Sequence, residues 1–205
     1  MHELAVSTNH YHFMFAIFKK YISEKGELSE EDWAFIEPLC LIKKIRKQQY
    51  LLQEGDVWHY HAFVCEGLLR RYSVDDKGIE HVIQFCPENW WAGDRMSLMD
   101  GTPSRYNIDA IENSVVLLIE KRNFELICQK IPAFNNLINM ILQRSLNAAQ
   151  ERIHVVISLS AEEKYLDFLN TFPNLANRVP RYMLASFLGI TPETLSRIRN
   201  LVANK

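Results

Sequence analysis

Val179-Pro180-Arg181-Tyr182-Met183-Leu184-Ala185-Ser186-Phe187-Leu188-Gly189-Ile190-Thr191-Pro192-Glu193-Thr194-Leu195-Ser196-Arg197-Ile198-Arg199-Asn200 reads as a helix-turn-helix. Leu184 and Leu188 lie four apart, on one face of a first helix. Ala185 is small where two helices approach. Gly189 stands where the helix must stop, and glycine accepts the left-handed conformation of a tight turn. Ile190 fills that turn. Thr191 is a good N-cap and Pro192 suits the first helical position. Leu195 and Ile198 face back onto the first helix, which leaves Glu193, Arg197 and Asn200 on the outer face of the second. The DNA major groove admits a helix with such a polar face. An ordinary helical hairpin is the plainer alternative, and it leaves the coincidence of small residue, glycine, cap and apolar spacing unexplained.

The segment is also locally basic. From residue 178 onward, Arg178, Arg181, Arg197, Arg199 and Lys205 stand against Glu193 alone, on a chain of net charge -2. Phosphate contact at one end of the molecule fits this balance, although so short a segment clusters charge by chance as well.

Outward from that segment the chain divides by period. Residues 1–37 read as helical, with Ser29 as a cap ahead of Glu30, Glu31 and Asp32, and with Trp33 and Ile36 on the apolar face. His12–Phe18 is apolar but too short for a membrane span. It has no basic segment before it and no cleavage site after it, and reads as a helix packed on the body. From about Ile42, short β-type runs alternate with Gly55, Gly67, Gly78, Gly93 and Gly101. Val74-Asp75-Asp76-Lys77-Gly78 is a hairpin signal between Leu68–Ser73 and Ile79–Phe85. This predicts a compact jelly-roll barrel.

After Asn123 a long helix follows, starting beyond Pro132. Ile138, Leu142, Ser145, Ala149, Arg152 and Val156 keep the spacing of a coiled-coil seam, and Phe134, Leu137, Ile141, Ala148 and Val155 mark a neighbouring stripe. Packing on a second copy and packing on its own domain both fit, on different faces. Ser160 caps a further helix to about Leu169, and Pro173-Asn174 breaks the chain before the helix-turn-helix.

In order, a glycine-punctuated barrel, a long helix and a C-terminal helix-turn-helix resemble the Crp/Fnr family of bacterial transcription regulators. The matching pieces are Leu52-Gln53-Glu54-Gly55-Asp56, Phe63-Val64-Cys65-Glu66-Gly67, Pro87 through Asp94, Gly101-Thr102-Pro103-Ser104-Arg105 and Thr191-Pro192-Glu193-Thr194-Leu195-Ser196-Arg197, the last being the most specific. The resemblance implies an α+β chain in three parts: N-terminal helices and a sensory cyclic-nucleotide-binding-like barrel over 1–122, a dimerisation helix over 123–158, and DNA-binding heads over 159–205. It implies a homodimer on a roughly palindromic double-stranded site, RNA polymerase as a further partner, an unknown small-molecule effector and a cytoplasmic location, with no membrane association. The candidate DNA contacts are Thr191, Glu193, Thr194, Ser196, Arg197 and Arg199. The candidate dimer interface is Phe134, Leu137, Ile138, Ile141, Leu142, Ser145, Ala148 and Ala149.

The effector candidates are Gly93, Asp94, Ser104 and Arg105. Members of the family that bind cyclic AMP hold its ribose with a Gly-Glu pair and its phosphate with an Arg-Ser pair. Here these fall on Gly93-Asp94 and Ser104-Arg105, so a serine stands at the arginine position. A shift of one residue in extended chain turns Arg105 to the other face, which argues against cyclic AMP. The recognition helix carries Pro192 where an arginine often precedes the glutamate, and the chain ends soon after it, so a winged-helix-like head with a reduced wing is expected.

Cys40, Cys65, Cys86 and Cys128 are scattered, without metal spacing, and read as buried thiols of a reducing compartment. No cofactor and no metal is called for. The competing reading is a cupin-like metal enzyme. His59 and His61 share one strand face, as two ligands would, but Glu66 lies at an offset that puts it on the opposite face. No nucleophile–base set or phosphate loop appears, Trp90-Trp91 reads more simply as barrel core than as a ligand wall, and Asp75-Asp76 as a solvated hairpin tip.

Overall fold

The computed structural model describes residues 8–203. Lys205, counted above in the basic segment, lies outside them.

Contacts divide the chain into two compact units. One joins the chain up to Ser73 with Phe85–Ile141; the other joins Val74–Gln84 with the chain from Leu142 on.

In the first unit, helices α1 (Thr8–Ser23) and α2 (Glu30–Ile36) precede the strands. The expected Ser29 cap forms, and Asp32 bonds back to the Ser29 N–H, so both ends of a capping box are made. Eight strands follow along the chain, most of β5 falling in the second unit: β1 (Cys40–Ile45), β2 (Tyr50–Leu52), β3 (Tyr60–Glu66), β4 (Leu69–Val74), β5 (Glu80–Cys86), β6 (Trp91–Ala92), β7 (Asn107–Ala110) and β8 (Ser114–Glu120). They form two four-stranded sheets, ordered β1-β8-β3-β6 and β2-β7-β4-β5, the double-sheet arrangement of a jelly roll. Among the described residues no strand follows β8.

β8 shows why these strands carry no clean alternation. Every residue from Ser114 to Ile119 is buried. Val116 and Leu118 join Ala62 and Val64 of β3 in the core between the sheets. The opposite face is covered by helices: α1 lies against β3 and β8, as does α4 (Lys121–Lys130). Phe63 on that outer face meets Phe18 and Trp91, and Phe124 of α4 meets Trp91. A strand covered on both faces is apolar throughout.

Two helices escaped the sequence reading. α3 (Arg95–Asp100) is short, and α4 is a separate helix that ends before Pro132. α5 runs Pro132–Ser158, the long helix expected.

In the second unit, α6 (Ala161–Thr171), α7 (Arg181–Leu188) and α8 (Pro192–Ala203) pack together. Ser160 caps α6 and Glu163 bonds back to it, a second capping box. Tyr165 and Phe168 of α6, Leu184, Ala185 and Phe187 of α7, and Leu195 and Ile198 of α8 are buried. The Phe168 and Phe187 rings lie 5.8 Å apart, edge to face. Among the described residues no helix is long and apolar enough to cross a membrane.

Candidate functional site

The α7–α8 turn is built as the residues dictate. Gly189 sits at φ 67, in the left-handed region, and its N–H returns to the Ala185 and Ser186 carbonyls. The Ile190 N–H also reaches Ala185 O, at 3.1 Å. Thr191 Oγ1 accepts from the Thr194 N–H at 3.2 Å, closing the N-terminus of α8. With Leu195 and Ile198 turned inward, Thr191, Glu193, Ser196, Arg197 and Asn200 are exposed, and Thr194 and Arg199 half-buried. The Glu193 backbone N–H, and then the Thr191 hydroxyl, hold the Glu193 carboxyl below its usual range, so it is ionised at neutral pH. The exposed set therefore presents both an acceptor and a guanidinium on one side of α8.

Two side chains missed by the sequence reading hold α7 in place. Ser186 Oγ donates to Glu80 O and accepts from the Val82 N–H, both at 3.0 Å. β5 is the edge strand of its sheet, so these outward backbone groups need a partner other than a strand. Arg152 donates from Nη2 to Phe187 O at 2.8 Å, with its guanidinium carbon 3.4 Å from the Phe187 ring centre. Burial lowers the Arg152 pKa to about 10, which leaves it charged at neutral pH. A cation here satisfies a carbonyl of the last turn of α7.

That placement bears on the seam of α5. Of the candidate interface residues, Phe134, Leu137 and Ile138 are buried within the chain, Ile141 and Leu142 half-buried, and Ser145, Ala148 and Ala149 exposed. Leu146, Ile153, Val156 and Ile157 are exposed large apolar residues. Leu142, Leu146, Ala149, Ile153 and Val156 repeat the seam spacing in a register that replaces Ser145 and Arg152 by Leu146 and Ile153. Arg152 turns instead to α7.

In the barrel, Gly93, Asp94 and Ser104 come together. Asp94 caps α3, its Oδ1 accepting from the Met96 and Ser97 N–H groups at 3.0 and 3.4 Å. Its Oδ2 accepts from the Ser104 hydroxyl at 2.8 Å, and Ser104 Oγ accepts in turn from the Tyr106 N–H. Both side chains are buried, whereas Arg105 is exposed. The ribose and phosphate positions of the resemblance are thus bonded to each other. Gly93 has φ 151, and a Cβ there would lie 2.7 Å from Trp58 Nε1. Its carbonyl accepts from Arg71 Nη1 at 3.0 Å, a contact nothing in the sequence reading anticipated.

The histidines of the cupin-like alternative separate. His59 is exposed ahead of β3, while the His61 ring stacks on Phe124, centroids 3.6 Å apart. Burial, and then the charges of Arg95 and Lys121, lower the His61 pKa from 6.5 to about 4. The sign follows: below pH 6.5 the unfolded chain takes up a proton at this site that the folded chain refuses until about pH 4. Stability is lost across that window as pH falls. His61→Phe, which keeps the stacking surface, is expected to flatten this part of the melting-temperature profile between pH 6.5 and 4, and an unchanged slope would place the acid sensitivity elsewhere.

Comparison with known proteins agrees with this architecture. A family model described as the cyclic nucleotide-binding domain matches residues 42–131. The regulatory protein HlyX of Actinobacillus pleuropneumoniae is 24% identical over 184 residues, covering 83% of this chain and 75% of that protein. The transcriptional activatory protein AadR of Rhodopseudomonas palustris is 26% identical over 183 residues, covering 84% and 75%. The structure of FixK2 from Bradyrhizobium japonicum has the same fold, with a TM-score of 0.69 at 20% identity, covering 80% of this chain and 85% of that one.

Proposed function

We propose, from the likeness of residues 42–131 to the cyclic nucleotide-binding domain and of most of the chain to transcription regulators such as HlyX, that the chain is a Crp/Fnr-family regulator and not an enzyme, a homodimeric, sequence-specific DNA-binding protein whose barrel answers an effector other than cyclic AMP. The observation that carries the DNA reading is the exposed face of α8: Glu193 and Arg197 project one turn apart from a helix whose other side is locked by Leu195 and Ile198. Glu193 accepts from cytosine N4 and Arg197 pairs with guanine O6 and N7. Thr191, Thr194, Ser196 and Arg199 hold phosphates and set register.

The dimer reading is supported by the exposed Leu146, Ala149, Ile153 and Val156, continuing from the half-buried Leu142, which a second α5 would cover in a two-fold interface. Two α8 helices would then enter successive major grooves about 34 Å apart on a roughly palindromic site. RNA polymerase is the partner such a regulator meets at a promoter, and the cytoplasm is where it meets it. The case against cyclic AMP is the Asp94–Ser104 bond: the acid is occupied by a serine and a helix N-terminus, and no arginine stands at the phosphate position.

Genome-wide mapping of the bound sites tests the proposal. An enriched inverted-repeat motif upstream of transcription units is expected; binding spread without sequence preference would reject it.

A further inference from the structure

One charge on the inner wall of the barrel has no carboxylate to answer it. Along β4, Leu69 and Arg71 point the same way, and Arg71 stands opposite Ile108 of β7, Leu69 opposite Ala110. Leu69, Ile108 and Ala110 all belong to the core between the sheets, so Arg71 enters the barrel from its wall. Nη1 donates to Gly93 O at 3.0 Å, and the guanidinium lies 5.1 Å from the Tyr106 ring centre. Nε is shielded from solvent and has no hydrogen-bond partner. Among the described residues no acid forms an ion pair with Arg71. Asp94, next to Gly93, is engaged with Ser104 and the start of α3. Cys86 is fully buried within the influence of the same charge, but burial pushes its thiol up to about 12, so it supplies no anion.

Arg70 is the internal comparison. One residue along, it faces the other side of β4, and its Nε and Nη2 grip the two oxygens of Asp109 at 2.8 and 3.0 Å. A guanidinium drawn away from water calls for this kind of counter-charge. Arg70 is buried and has it; Arg71 is half-buried, its enclosed Nε unpartnered, and has one neutral carbonyl and one ring.

We propose that Arg71 is an oxyanion-binding residue inside the barrel, and that the effector is a small organic molecule carrying a carboxylate or a phosphate. The assignment rests on reading the barrel as the sensory part of the regulator. The Nε edge takes two oxygens of the effector as Arg70 takes those of Asp109. Trp58, Tyr106, Leu69 and Ile108 give the rest of the molecule an apolar and aromatic surround.

The test uses the full chain with benzoate, inorganic phosphate and benzamide, the last a neutral match for benzoate in shape. Benzoate or phosphate at millimolar concentration is expected to raise the melting temperature saturably, and benzamide is not. Benzoate alone acting identifies a carboxylate effector; phosphate alone identifies a phosphorylated one. Arg71→Gln is expected to weaken the responding anion about tenfold or more, and Arg71→Lys by less. Without anion, Arg71→Met should melt no lower than wild type, because an unanswered cation is replaced by an apolar chain of similar length. The proposal is overturned if neither anion stabilises the wild type, if Arg71→Gln binds as well, or if Arg71→Met melts lower and the anions have no effect. DNA titration of the same samples keeps the two readings apart. Anion binding without specific DNA binding would reject the regulator and keep the site; the converse would reject the site alone.

Discussion

Arg197→Ala is expected to cost about 1–3 kcal/mol of DNA-binding free energy per half-site and to relax preference at one base position. A symmetric dimer carries the substitution twice, so the loss on an intact palindrome approaches twice that figure where the two contacts are independent. Arg197 is exposed on α8 while Leu195 and Ile198 fix the helix beneath it. A guanidinium held in the groove pairs with guanine through two hydrogen bonds, and no alanine reproduces either. Arg199, half-buried on the flank of the helix, is the contrasting case. Arg199→Ala should weaken all sequences evenly and flatten the salt dependence by about one unit of slope. Titrating both variants against a mapped site and a scrambled duplex at several salt concentrations separates the two roles. Equal loss on both duplexes for Arg197→Ala would make it a phosphate contact.

Ile153→Glu is expected to break the dimer. Ile153 is 59% exposed in the single chain, an odd position for isoleucine unless something covers it. It falls in the run from Leu142 to Val156, so a second α5 would bury it near the two-fold axis. An uncompensated buried charge costs about 3–5 kcal/mol, which raises the dimer dissociation constant a hundredfold or more. Asn147→Glu, on the opposite side of the helix, should leave association unchanged. Sedimentation equilibrium across the micromolar range reads both. A wild-type chain that sediments as a monomer, or an Ile153→Glu variant that dimerises as well as wild type, would contradict the assignment of the seam.

The local signals in the sequence were the ones that carried through to the structure, and the reason is their range. A cap needs only its own turn: Ser29, Ser160 and Thr191 each accept from an N–H three residues ahead. Gly189 likewise needs only its own φ. The period of α5 was legible but its register was not, because three- and four-residue steps can start from Ser145 or from Leu146 with equal regularity. The contact that draws Arg152 to Phe187 is set by tertiary structure, which a period does not record. The barrel site was less legible still. Period two says that Arg70 and Arg71 face opposite ways without saying which one enters the core, and only pairing with β7 settles it. The fate of Asp94 was hidden for a similar reason: α3 is one and a half turns long, too short to announce itself by periodicity, yet its N-terminus is what claims the carboxylate.

Footprinting of the wild-type protein on a mapped site asks whether paired α8 helices read DNA through one face of the duplex. Two protected patches of major groove are expected, related by inverted symmetry and centred about 34 Å apart, both lost at equal protein concentration with Ile153→Glu. A single protected patch, or protection that Ile153→Glu leaves in place, would contradict it.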